Sequence, residues 1–251
     1  MTAPEDVTAP HDAHLEILAD GEALAHRVAE LLIAAAMNKE GMFAVALSGG
    51  STPRRTYQLL GQLPYRHAFP WFRTHWFWGD ERFVPHADQR SNYRMTRDVM
   101  LSQAPIASAY IHAIPTEGMS AETAAAHYER DLKAYYGADQ LDPARPLFDV
   151  NLLGLGPDGH TASLFPGTSV LNARERWVVP VVGPGNEMRI TLTYPVLESS
   201  RHTAFLVAGA EKRDIFARLR QGDPALPAAN LHPIGDLWFF ADEAAAGISA
   251  K

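Results

Sequence analysis

Phe43-Ala-Val-Ala-Leu47, then Ser48-Gly-Gly-Ser-Thr-Pro53, then Arg54 to Leu60 is the stretch whose reading decides the fold. A short, wholly apolar run suits a strand buried on both faces. The Gly/Ser/Thr segment is a loop, and Pro53 is well placed in the first turn of a helix. The unit is strand, loop, helix. Upstream, Asp20 can cap a helix to about Asn38, with Leu24, Val28, Leu31, Leu32 and Ala35 at helical spacing and Gly41 as its stop.

Working outward, the same alternation recurs. His75–Trp78 reads as a second strand and ends in Gly79-Asp-Glu-Arg82. Asn92 to Leu101 and Ala121 to Tyr136 read as helices. Phe148–Leu153 is a third strand running into Gly154-Leu-Gly-Pro-Asp-Gly-His160. Further strands are expected at Trp177–Val182, Arg189–Thr193, Thr203–Val207 and Leu237–Phe240, with a helix from Lys212 to Arg220. The order predicts an α/β, single-domain, Rossmann-like fold: a mostly parallel sheet with helices on both faces. Two loops stand out, Gly183-Pro-Gly-Asn186 and Gly222–Pro227. Polar, Gly-rich clusters fall just after strands, where such sheets bind ligands.

The chain has 251 residues, with 22 Lys+Arg against 29 Asp+Glu, a formal charge of −7. That balance argues against a nucleic-acid or anionic-membrane partner, while a local basic pocket stays open. With 47% hydrophobic and 20% charged residues, the chain is globular. It has no Cys, which excludes a disulfide framework, a thiol nucleophile and a thiolate metal site. Residues 1–14 lack the apolar core of a signal peptide and are expected to form a flexible tail, with one domain over 15–251. No apolar run reaches the roughly 20 residues a membrane span needs.

Three clusters have chemistry to offer. In Ser48–Thr52, Gly49 and Gly50 allow close backbone approach, while Ser48, Ser51 and Thr52 add hydroxyl donors ahead of a helix N-terminus. That can cradle a phosphate or carboxylate; a bare βα turn is the competing reading. The Walker A spacing is absent. Gly154, Gly156 and Gly159 match G-x-G-x-x-G literally, but Pro157 removes a donor and no crossover helix fits before Phe165-Pro-Gly167, which argues against a dinucleotide. In the same loop Asp158 and His160 could pair as carboxylate and general base; a surface Asp beside a packed His is the alternative. Arg82 could stabilise an oxyanion, and Asp80 could bind sugar hydroxyls or orient another group; an ordinary charged turn is the alternative. Arg189 and Lys212 are further possible anion partners. Ser51 fails G-x-S-x-G because residue 53 is Pro, and the eleven histidines, His11 and His14 included, show no metal spacing. Trp71, Trp76 and Trp78 read as core or cleft wall.

Together, Leu47–Pro53, Trp78-Gly-Asp-Glu-Arg-Phe-Val-Pro85 with Ser91-Asn92, and Gly154-Leu-Gly-Pro-Asp-Gly-His-Thr-Ala-Ser-Leu-Phe-Pro166 resemble the glucosamine-6-phosphate isomerase/6-phosphogluconolactonase superfamily, on its lactonase branch. Gly209–Lys212, Leu226–Ala228 and Trp238–Asp242 continue the likeness. The resemblance implies a domain related to ribose-phosphate isomerases and CoA transferases. It implies hydrolysis of 6-phospho-D-glucono-1,5-lactone to 6-phosphogluconate in the oxidative pentose phosphate pathway, without metal or organic cofactor. It also implies roles: His160 as base with Asp158 beside it, Arg82 at the developing charge, and Ser48, Gly49, Gly50, Ser51, Thr52 and Lys212 on the phosphate. Asp80, Asn92 and Arg189 are then candidate substrate-binding residues. The deaminases of the superfamily carry a Glu after the His loop, where this chain has Leu164-Phe165-Pro166. A sugar-phosphate isomerase or deaminase, a non-catalytic sugar-phosphate sensor and a nicotinamide oxidoreductase are the rival readings. The expected partner is a small sugar-phosphate lactone, the expected state a monomer or weak homodimer, and the expected location the cytoplasm.

Overall fold

A computed structural model describes residues 13–248. Among the described residues there are ten strands: β1 (His14–Leu18), β2 (Phe43–Leu47), β3 (Thr74–Trp78), β4 (Asp80–Arg82), β5 (Ile111–His112), β6 (Phe148–Gly154), β7 (Val178–Gly183), β8 (Glu187–Leu192), β9 (Ser200–Val207) and β10 (Asp236–Asp242). Seven form one sheet in the order β1-β10-β9-β6-β2-β3-β5, with every pairing parallel. All five residues of β2 are buried, so both faces of the sheet's centre are covered, as its unbroken apolar run predicts. The expected parallel α/β sheet is therefore present.

The helices follow their sequence signals. The Gly21–Asn38 helix is capped by Asp20, whose carboxylate accepts the Ala23 N–H at 2.8 Å. Its buried Leu24, Val28 and Leu32 lie on one face. The Ala121–Tyr136 helix starts at an N-capping Ser120 and ends at Gly137, which adopts the left-handed conformation that favours glycine. Trp71, Trp76 and Trp78 are all buried, in keeping with a core role.

The sheet has a switch point. After β2 the chain moves to β3 and β5, whereas β6 lies on the other side of β2 and leads to β9 and β10. Loops leaving the carboxyl ends of β2 and β6 therefore diverge, and a crevice opens between them.

Four features differ from expectation. The strands expected at 177–182 and 189–193 do not join the main sheet. They form an antiparallel hairpin across Gly183–Asn186, and β8 pairs with β4 to complete a second, three-stranded sheet. Apolar composition specifies a strand but not its partner. Second, Gly79–Arg82 is not merely a turn. The Gly79 N–H still bonds Leu47 C=O of the main sheet at 2.9 Å, while its C=O accepts from Leu192 in the small one, so the chain changes sheets there. Third, β1 and β5 carried no clear signal: one is a largely exposed edge strand and the other has two residues. Fourth, His14 at the end of the expected tail opens β1, its ring stacked 4.3 Å from Trp238. Residues 1–12, the rest of that tail, lie outside the described residues.

Candidate active site

The β2 loop is held from beneath by a tyrosine. The Tyr57 hydroxyl accepts the Ser48 N–H at 3.0 Å and donates to the Ser48 C=O at 2.9 Å. Tyr57 is fully buried, and burial pushes its phenol far up, so it stays neutral and can serve both groups. The helix begins at Ser51, earlier than Arg54, with Gly50 at φ +106° as its N-cap and no acidic residue in its first turn. The amides of that turn have no intrahelical acceptors and present partial positive charge. A Cβ on Gly49 would lie 2.0 Å from Asn92 Oδ1, so the Asn92 amide rests directly on the loop backbone.

An equivalent clamp ends β3. The Tyr128 hydroxyl accepts from Trp78 N–H at 2.9 Å and donates to Trp78 C=O at 3.0 Å. Asp80 follows, buried. Its Oδ2 accepts from Ser163 Oγ at 2.6 Å, and Asn92 Nδ2 donates to its backbone carbonyl at 3.0 Å. Asp80 thus orients its neighbours. Arg82 Nη1 donates to the Arg90 carbonyl at 2.6 Å, while its buried Nε has no partner among the described residues. Arg189 is held by Glu187 at 2.8 Å, stands 3.8 Å from Asp80 Oδ2, and lies over the Phe165 ring at 5.5 Å.

The β6 loop turns back on itself through Gly156 N–H to His160 C=O at 2.8 Å and Gly159 N–H to Gly156 C=O at 3.1 Å, with Gly159 at φ +81°. His160 Nδ1 lies 2.5 Å from Asp158 Oδ1, and the ring packs 4.6 Å from Phe165. Burial acts to raise the Asp158 carboxyl, but the hydrogen bonds and charge of His160 outweigh it and hold it below its ordinary value. An ionised carboxylate at Nδ1 fixes that nitrogen as the donor and leaves the Nε2 lone pair for other work. Lys212, in the short helical turn Ala210–Lys212 that follows β9, donates from Nζ to the Leu155 carbonyl of the β6 loop at 2.8 Å.

Every site residue singled out from the sequence except Asp158 lines one cavity of about 260 Å³ at the carboxyl ends of β2, β3, β6 and β9. Asp158 joins it through His160. Arg82, Arg189 and Lys212 bring three positive charges and Asp80 one negative, so an acidic chain has a basic pocket. Among the described residues no group of three or more His, Cys, Asp or Glu is placed to hold a metal ion, and no helix is long and apolar enough to cross a membrane. Sequence reasoning missed Tyr57, Tyr128, Ser163 and the stacking role of Phe165. Tyr57, Tyr128 and Ser163 act through contacts 9 to 83 positions away, and Ser163 and Phe165, though inside the quoted Gly154–Pro166 motif, were given no contact role. Glu81 was quoted within its motif but given no role.

A basic, hydroxyl-rich cavity at the switch point of a parallel sheet, beside a carboxylate-oriented histidine, defines an α/β protein for small anionic ligands. Residues 19–239 match the family described as glucosamine-6-phosphate isomerases/6-phosphogluconolactonase, and the chain belongs to that family. It is 38% identical over 237 residues to the 6-phosphogluconolactonase of Nostoc sp., spanning 92% of this chain and 96% of that one. It is 40% identical over 219 residues to the 6-phosphogluconolactonase of Synechocystis sp., spanning 85% and 87%. The crystal structure of 6-phosphogluconolactonase from Thermotoga maritima superimposes with a TM-score of 0.77 at 30% identity, covering 92% and 99% of the two chains.

Proposed function

We propose that the protein is a 6-phosphogluconolactonase, hydrolysing 6-phospho-D-glucono-1,5-lactone to 6-phospho-D-gluconate, the second step of the oxidative pentose phosphate pathway. The observation that carries the reading is the His160–Asp158 pair opening on the same cavity as the β2 loop, Arg82 and Lys212. Its relatives of the same name support the substrate.

A δ-lactone is an activated ester, so water can attack it directly. His160 Nε2 takes a proton as the water oxygen bonds to C1. Asp158 stabilises the imidazolium, a contribution on the order of 10²–10⁴-fold for a placed general base. The former carbonyl oxygen becomes an alkoxide, and Arg82, whose Nε–H has no acceptor among the described residues, stabilises it. Collapse breaks the bond from C1 to the ring oxygen, which takes the proton back from His160. Ser48, Gly49, Gly50, Ser51 and Thr52, with Lys212, hold the phosphate at the far end and fix C1 against the water. Asn92 and Arg189 meet sugar oxygens, and Asp80 keeps both in place. The reading includes no cofactor, a cytoplasmic location in keeping with the pathway, and a monomer or weak homodimer.

The test is hydrolysis of freshly generated lactone, coupled to 6-phosphogluconate dehydrogenase, with the spontaneous rate subtracted and His160→Ala alongside. Acceleration by the wild type, lost in the variant, is expected. No acceleration by folded wild-type protein would sink the activity; near-normal turnover by the variant would sink the base. Ammonia release from glucosamine 6-phosphate would point to the deaminase instead.

A further inference from the structure

Glu81 is 1% exposed, lines no part of the cavity, and forms no ion pair among the described residues. Such a carboxylate is costly to bury unless its oxygens are filled. Here they are. Oε1 accepts the backbone N–H of Arg82 at 2.8 Å and of Asn92 at 2.7 Å. Oε2 accepts the N–H of Tyr93 at 2.8 Å and the hydroxyl of Ser91 at 3.0 Å. Burial raises the carboxyl and these four donors pull it back, so the net shift is upward.

The distribution of donors is informative. The Asn92–Thr96 helix already has its own N-cap, since Ser91 Oγ accepts the Arg94 N–H at 3.0 Å. Glu81 takes two further amides of that helix start, those of Asn92 and Tyr93, so it extends the cap, and its remaining backbone donor lies outside the helix. What Glu81 adds is a link between two segments ten residues apart: a single oxygen, Oε1, receives one amide from β4 and one from the helix. Those amides belong to two cavity residues. Arg82 is held at its other end by the Arg90 carbonyl. Asn92 is held at its other end by the Asp80 carbonyl, and its side chain rests on Gly49.

We propose that Glu81 is a positioning residue, which sets Arg82 relative to Asn92 and the phosphate loop and so aligns the oxyanion-stabilising charge with the anchored end of the substrate. The proposal rests on the function given above. The β2 loop has its own support in Tyr57, so loosening Glu81 moves Arg82 more than it moves the phosphate site. Displacement by about 1 Å can cost on the order of 10²-fold in rate.

The experiment is a double-mutant cycle. Glu81→Gln keeps the shape but replaces one acceptor oxygen with a donor, which must face at least one backbone N–H in either orientation. Single-turnover lactone hydrolysis with enzyme in excess is measured for wild type, Glu81→Gln, Arg82→Ala and the double variant. Thermal unfolding and calorimetric 6-phosphogluconate binding are measured in parallel. Glu81→Gln is expected to lower the rate about 10-fold or more with product affinity changed less than about 3-fold, and to cost less than about 2-fold once Arg82 is alanine. An unchanged rate, or an equal loss in both backgrounds, overturns the proposal. If the Gln variant does not fold, Glu81→Asp, which keeps the charge on a shorter arm, is put through the same cycle. Absence of hydrolysis by the wild type removes the parent reading and this one with it; wild-type hydrolysis with additive variants removes this one alone.

Discussion

A methyl group on Gly156 would lie 2.1 Å from Nδ1 of His160, in space the imidazole fills. The glycine is thus required by the ring and not by its own backbone, which has no positive φ. Gly156→Ala should leave the loop conformation accessible yet force the ring off Asp158. Turnover is expected to fall about 10²-fold, the low end of what a general base contributes, with a small change in melting temperature. Kinetics alongside thermal unfolding check it; full activity would mean that the ring can move without penalty.

Lys212→Ala should weaken binding more than turnover. The ammonium spends one donor on Leu155 and has two left for an anion. KM is expected to rise roughly 10-fold or more, with kcat changed far less, and the wild-type KM should grow with salt as exposed charges are screened. A steady-state series at several ionic strengths reads both effects. A pure kcat loss would place Lys212 at the reacting centre.

Tyr57→Phe removes one hydroxyl and strands two backbone groups of Ser48. Leaving a buried polar group unmatched costs about 1–3 kcal/mol, so with two groups stranded urea unfolding should show a loss of roughly 2–6 kcal/mol. Because the stranded groups belong to the phosphate loop, product affinity should fall as well. An unchanged Kd would separate the clamp from the site.

His112 gives the pH dependence of stability. Burial, with a smaller contribution from His75 at 2.8 Å, pushes its imidazole down to about 4. Unfolded, it titrates near 6.5, so the unfolded chain binds more protons between those values. Stability should therefore be highest above pH 6.5 and be lost as pH falls toward 4. His112→Gln, which can still bond His75, should flatten part of that decline in melting temperature measured from pH 8 to 4. His75, which burial also lowers, contributes to the remainder.

The residues that line the cavity were largely legible because their chemistry is local: hydroxyls and glycines before a helix, Asp-x-His in a turn, Arg at a strand end. Strand β2 was legible to the residue, since burial on both faces leaves an unbroken apolar run. The second sheet was not, because Asp80–Arg82 finds its partner at Arg189–Thr191, more than a hundred residues away. Nor was the work of Tyr57 and Tyr128, which looks like ordinary helix burial until the hydroxyl is seen to meet a strand end.

The cavity is lined from the carboxyl ends of β9, β6 and β2 in the middle of the main sheet and from β4 and β8 of the small one, and takes nothing from the edge strands β1 and β5. Edge strands fray first, since half their backbone groups face solvent. Such a layout insulates chemistry from wear at the margins. Either border could be lengthened, trimmed or fused to another chain while the reacting groups keep their mutual distances.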